Sequence, residues 1–125
     1  MARFRLADPA TADLKAILET SEARWGPAAR LRYQALLGAA MRRVAAEPAG
    51  PTTLARDDLA LGLRSFHLRH AREAIAGGPG GPGGQVANPV HVLYYRVPRP
   101  GLVEIVRVLH ERADPVRHLE AGEEG

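Results

Sequence analysis

Apolar residues in the first half of the chain recur at helical spacing, and in the second half the period changes. Leu14, Ile17, Leu18, Ser21 and Trp25 fall on one stripe. Asp8-Pro9 ahead of them reads as an N-cap followed by Pro at the first helical position. Gly26-Pro27 stops that helix and starts another, whose stripe is Ala29, Tyr33, Leu36, Leu37, Ala40 and Val44. The run from Glu47 to Pro51 ends it. Two helices joined by about two residues pack antiparallel as a hairpin. Arg3–Leu6, ahead of them, alternates and predicts a first strand.

Beyond Pro51 the spacing tends to two. Leu63–His70 alternates roughly, with Arg64, Phe66 and Leu68 on one face and His67 and Arg69 on the other. Val90–Val97 and Leu102–Leu109 are dense in apolar and β-branched residues and read as buried strands. Pro98-Arg99-Pro100-Gly101 is the turn between them. Asp114-Pro115 predicts the cap of a short terminal helix through Leu119. The order β-α-α-β-β-β-α argues for an α+β fold, a helical hairpin packed on a mostly antiparallel sheet. Residues 1–119 are read as one domain. Gly77–Gly84, GGPGGPGG, is a flexible excursion within it, and 120–125 an acidic disordered tail.

Composition narrows the chemistry. A 125-residue chain with 46% hydrophobic residues builds one small core. It has no cysteine, which removes disulfides, thiolate metal sites and a Cys nucleophile. No apolar run is long enough to span a membrane. Asp8 and Pro9 interrupt the place where a signal peptide needs its apolar core, so a cytoplasmic protein is expected. The formal charge is +3, and +6 without Glu120, Glu123 and Glu124. Sixteen of the 17 basic residues are Arg, with Lys15 the exception. A GC-rich genome produces the same bias. A basic body also suits a nucleic acid or an acidic protein.

Candidate chemistry is sparse. The Gly-rich run lacks the Lys-Ser/Thr of a phosphate loop. His67, Arg69, His70 and Arg72 cluster near one strand end, but His67 and His70 point to opposite faces of an extended strand and make a poor metal pair. His110-Glu111-Arg112-Ala113-Asp114 lacks the second His of a zinc-protease motif. His110 has the intrinsic pKa of a general acid or base, and equally of a loop-bracing residue. Trp25 and Tyr33 are expected in the core. Tyr94 and Tyr95 point to opposite faces, one expected buried and one reachable. The serines show no hydrolase spacing. No metal and no cofactor is expected.

Several of these pieces together resemble the ParE-type toxins of the RelE/ParE superfamily of type II toxin–antitoxin modules. They are Ala12–Leu14 with Ile17, Trp25-Gly26 followed by Ala29, Tyr33 and Leu36, then Pro48 and Gly50. Gly62-Leu63-Arg64 leading into a strand, Tyr94-Tyr95-Arg96, and Ile105–His110 followed by Asp114 complete the set. The resemblance spans most of residues 4–119. It implies the same helical hairpin on an antiparallel sheet. It also implies inhibition of DNA gyrase, a type II topoisomerase, and a cognate ParD-like antitoxin whose disordered C-terminal segment folds on the toxin in a hetero-oligomer. On that reading target binding falls to His110, Arg112, Arg117 and His118. Antitoxin binding falls to Leu14, Trp25, Tyr33, Leu37, Arg64 and Arg69. RelE-like relatives instead cleave mRNA with sheet cations and a C-terminal Tyr. Cleavage of that kind would use His110 with Arg96 and Arg107 here, but no Tyr follows Leu109. A remnant that only binds antitoxin, or a generic basic nucleic-acid module, would also fit the basic scaffold.

Overall fold

The computed structural model describes residues 3–74, 86 and 88–124, without the side chains of 73, 74 and 120–124. The chain runs β1 (Arg3–Leu6), α1 (Asp8–Trp25), α2 (Pro27–Ala46), β2 (Leu54–Ala55) and β3 (Arg64–His67). A 3₁₀-helix (Leu68–Ala74), β4 (His91–Arg99), β5 (Leu102–His110) and α3 (Pro115–Glu124) follow. The sheet order is β1-β5-β4-β3-β2. β1 lies parallel to β5, and the other neighbours are antiparallel. This is the expected α+β architecture, a helical hairpin on a mostly antiparallel sheet.

Gly26 makes the hairpin. Its φ of +91° is open to glycine and strained for other residues. Its N–H caps α1 at Glu22 O, its own carbonyl takes the Arg30 N–H, and Pro27 opens α2. The two helices bury unequally. α2 buries eight residues, among them Leu36, Leu37 and Val44, whereas α1 buries only Ala10 and Ser21 fully. These α2 residues pack on Phe66, Leu93, Tyr95, Val103, Ile105 and Val108 from the sheet. The opposite sheet face carries a smaller cluster, Leu63, Tyr94, Leu109 and Leu119, under α3 and the 56–63 loop.

A β-bulge shapes the edge of β5. Tyr94 pairs with Arg107 but Tyr95 with Ile105, so Val106 is the extra residue. β1 pairs with β5 only as far as Ile105. Past that point Asp13 of α1 takes the place of a strand. Its Oδ2 accepts the Val108 N–H at 2.9 Å and Arg107 Nε at 2.7 Å, and its Oδ1 accepts Arg107 Nη2 at 2.9 Å.

The structure departs from several expectations. The strand expected over Leu63–His70 spans only Arg64–His67, and the chain then winds into the 3₁₀-helix. Its three-residue turn puts Leu68 and Ala71 on one buried face, which an extended strand would not do. Tyr94 and Tyr95 do face opposite ways, but both are buried, because α3 and the 56–63 loop cover the second sheet face. Asp8 lies inside α1, with Ala7 at the N-cap position. β2 is an added two-residue edge strand. α3 runs on to Glu124, carried past Leu119 by helix-favouring Ala and Glu. Gly77–Gly84 lies outside the described residues.

Candidate functional site

β3, β4 and β5 each bring a histidine to the same end of the sheet. His91 opens β4 directly opposite His110, which closes β5, and their rings meet edge to face at 5.7 Å between centroids. His67 ends β3 beside them. From the hairpin, Tyr33 of α2 reaches this end, and its hydroxyl contacts His91 Nδ1 at 2.5 Å. The same hydroxyl accepts the Val90 N–H at 3.3 Å.

The turn leaving β5 is braced on these rings. His110 Nδ1 accepts the Arg112 N–H at 3.1 Å. His67 Nε2 bonds Glu111 Oε1 at 2.7 Å, while its Nδ1 accepts the Arg69 N–H. Glu111 N–H bonds Val90 O, and Asp114 Oδ1 caps α3 at the Val116 N–H. The His67 hydrogen bond holds the Glu111 carboxyl below its usual range. Burial pushes the Tyr33 phenol up to about 12.

Burial, helped by the charges of His110 and His67, pushes His91 down to about 4. Asp13 and Glu111 act weakly the other way. Between that value and the ordinary ~6.5, the unfolded chain binds a proton that the folded chain refuses. The stability involved is complete above pH ~6.5 and is lost as the pH falls toward 4. His91→Asn keeps an acceptor for Tyr33 but cannot titrate. It should flatten the loss of stability between pH 7 and 4.5 by on the order of 2 kcal/mol, allowing for partial solvent contact. Urea denaturation at the two pH values measures this, and an unchanged difference would contradict it.

A groove of about 950 Å³ opens beside this cluster, between α1, the start of α2 and the strand ends. Ala16, Ile17, Ala29 and Val90 give it aliphatic walls; Arg24, Arg32, His91 and His110 give it cationic and donor groups. Trp25 borders it. This side chain was expected in the core but is 68% exposed, at the last residue of α1 where the chain turns at Gly26. The Arg24 guanidinium lies over its ring at 5.8 Å.

Of the residues expected to bind a target, His110 lines the groove and Arg112 follows it in the exit turn, whereas Arg117 and His118 are carried by α3 over the opposite sheet face. His110, Arg112, Arg117 and His118 are exposed, on the end of β5, the exit turn and α3. The ribonuclease set does not converge. Arg96 pairs with Glu104, five residues along β4 from His91 and so roughly 16 Å away. Arg107 is held by Asp13 and by His118 O.

The antitoxin set is dispersed. Tyr33 and Trp25 line the groove, Leu14 packs half-buried on the core, and Arg69 is exposed on the 3₁₀-helix. Leu37 is only 2% exposed and belongs to the core. Arg64 is turned inward, bonded to Pro48 O and Thr53 Oγ1 in the segment between α2 and β2. Neither is free to meet a partner. Sequence reasoning missed His91, Arg24 and Arg32. His91 meets Tyr33 across 58 positions, and no local pattern signals that contact. Among the described residues no group of three or more His, Asp or Glu is arranged to hold a metal ion.

A family model described as "ParE toxin of type II toxin-antitoxin system, parDE" matches residues 4–115. The chain belongs to the ParE toxin family. It is similar to proteins named Toxin ParE1 from two strains of Mycobacterium tuberculosis, CDC 1551 / Oshkosh and H37Rv. Each is 29% identical over 117 residues, covering 94% of this chain and 97% of the relative. This ParE-type toxin is thus one half of a type II toxin–antitoxin system, and membership implies an antitoxin partner. No helix among the described residues is long and apolar enough to cross a membrane.

Proposed function

We propose that this ParE-type toxin stops growth by binding DNA gyrase or a related type II topoisomerase, acting in the cytoplasm, and that a cognate antitoxin neutralises it. The binding region is the exit turn and α3, with His110, Arg112, Arg117 and His118. One observation carries the choice of binding over RNA cleavage. Each of the three clustered histidines has its Nδ1 engaged, by the Arg69 N–H, the Tyr33 hydroxyl or the Arg112 N–H. Neutral His67 and His110 rings, each accepting a backbone N–H, carry their proton on Nε2, so His110, the candidate base, keeps no free lone pair for taking a proton from a ribose hydroxyl. The two arginines that RNA cleavage would need are ion-paired elsewhere.

The antitoxin reading rests on the groove. A disordered segment that folds on binding covers a large surface. An elongated groove beside the hairpin, with aliphatic walls and basic groups, suits such a segment when it is acidic and amphipathic.

Controlled expression in a bacterial host tests the reading. Growth should stop while transcripts stay intact, and co-expression of the neighbouring gene's product should restore it. Normal growth under strong expression would instead identify an antitoxin-binding remnant. Cleaved transcripts with unchanged DNA supercoiling would identify a ribonuclease.

A further inference from the structure

The tautomers of the histidine cluster follow from its hydrogen bonds. The backbone N–H groups of Arg69 and Arg112 only donate, so the Nδ1 atoms of His67 and His110 accept. The Tyr33 hydroxyl, which accepts the Val90 N–H, has one proton to give, and we place it in the bond to His91 Nδ1. All three rings therefore carry a proton on Nε2. His67 gives that proton to Glu111. His91 and His110 have no such acceptor among the described residues, and both line the groove. Arg24 and Arg32 line it too, and no carboxylate is among the described residues that do. The groove offers positive charge and imidazole donors, with the hydroxyls of Thr20 and Ser21 and the amide of Asn88 as its only neutral polar side chains besides Tyr33 among the described residues. Between Ala16 and Trp25, α1 gives it a length of about 14 Å, floored by small and aliphatic side chains.

We infer that the groove is a receptor for an acidic peptide segment, which lays apolar side chains on Ala16, Ile17 and Ala29 and delivers an Asp or Glu carboxylate to the Nε2–H groups of His91 and His110. This rests on reading the groove as the antitoxin's seat, and adds the chemistry that selects the segment. A peptide fits better than a nucleic-acid strand. A strand brings a phosphate at every nucleotide, whereas the donors here border an aliphatic floor that needs apolar side chains to fill it. Neutralisation then works through a shared residue. His110 meets the carboxylate with Nε2 while its Nδ1 holds the Arg112 N–H of the exit turn. Antitoxin and topoisomerase compete for it, and the toxin holds one of them at a time.

Display of a random peptide library against the immobilised full-length chain tests the chemistry. Enriched peptides should carry Asp or Glu within an apolar stretch. His91→Asn and His110→Asn are the informative variants, because Asn Oδ1 stands in for Nδ1 and only the distal N–H is lost. Each should weaken a synthetic enriched peptide about tenfold by fluorescence anisotropy. In the double variant, changing the peptide's acid to its amide should cost nothing further. Ring ¹⁵N spectra of the unsubstituted chain should show Nε2–H at His67, His91 and His110. A proton on Nδ1 of His91 or His110 would overturn the inference. So would enriched peptides without an acid, or full affinity in both variants. An oligonucleotide that displaces the peptide with the same dependence on both histidines would reassign the groove to nucleic acid. Gyrase takes no part in this experiment. A toxin that fails to inhibit gyrase leaves the groove chemistry standing, and a groove that rejects acidic peptides leaves gyrase inhibition standing.

Discussion

Asp13→Ala should remove about 3 kcal/mol of stability. The Asp13 and Arg107 side chains are each only 14% exposed. The carboxylate accepts two guanidinium hydrogen bonds and the Val108 N–H, at a point where β5 has lost its neighbour β1. Its removal leaves a poorly solvated cation with only the His118 carbonyl, and an edge N–H with no acceptor. The pair also links α1 to β5 and, through that carbonyl, to α3. Thermal denaturation should show a midpoint lower by roughly 12 °C for a domain of this size. Asp13→Asn keeps an acceptor for Val108 and should lose about half as much. A loss under about 1 kcal/mol for the Ala variant would mean that water replaces the carboxylate without cost.

Arg112→Ala combined with Arg117→Ala should abolish growth inhibition while leaving the fold intact. Both side chains are exposed. Exposed substitutions of this kind change stability by about 0.5 kcal/mol or less each. Arginine is over-represented among residues that dominate interfaces, and two such losses should weaken target binding about 100-fold or more. The melting temperature should stay within a few degrees of the unsubstituted protein. Full toxicity in the double variant would show that the exit turn and α3 do not carry target recognition.

Much of the scaffold was legible because it is written in local patterns. The stripe from Leu14 to Trp25, the stripe from Ala29 to Val44 and the Gly26-Pro27 break define the hairpin. The β-branched runs around Pro98–Gly101 define β4 and β5. What was not legible depends on contacts far apart in the chain. Alternation through Leu63–His70 looks the same whether Leu68 continues a strand or starts a 3₁₀-turn; packing of Leu68 and Ala71 decides it. Trp25 sits on an apolar stripe yet is exposed, because the stripe outlasts the sheet beneath it. Leu37 looks like Leu14 in sequence, but α2 is the deeper helix.

The candidate site was half legible. The basic residues after Leu109 cluster in sequence, so their place on the exit turn and α3 follows directly. Tyr33 with His91 spans 58 positions and Arg107 with Asp13 spans 94, and neither pair has a local signature. Those pairings changed the meaning of single residues. Arg107 passes from a candidate phosphate ligand to the partner of Asp13, and His110 from a candidate base to a ring whose Nδ1 accepts the Arg112 N–H and braces the exit turn.

A gyrase supercoiling assay with the purified toxin decides whether this protein acts on the topoisomerase. Titration of the toxin should block the supercoiling of relaxed plasmid, and the Arg112→Ala, Arg117→Ala double variant should leave it running. Undiminished supercoiling at a large molar excess of folded toxin would contradict the account.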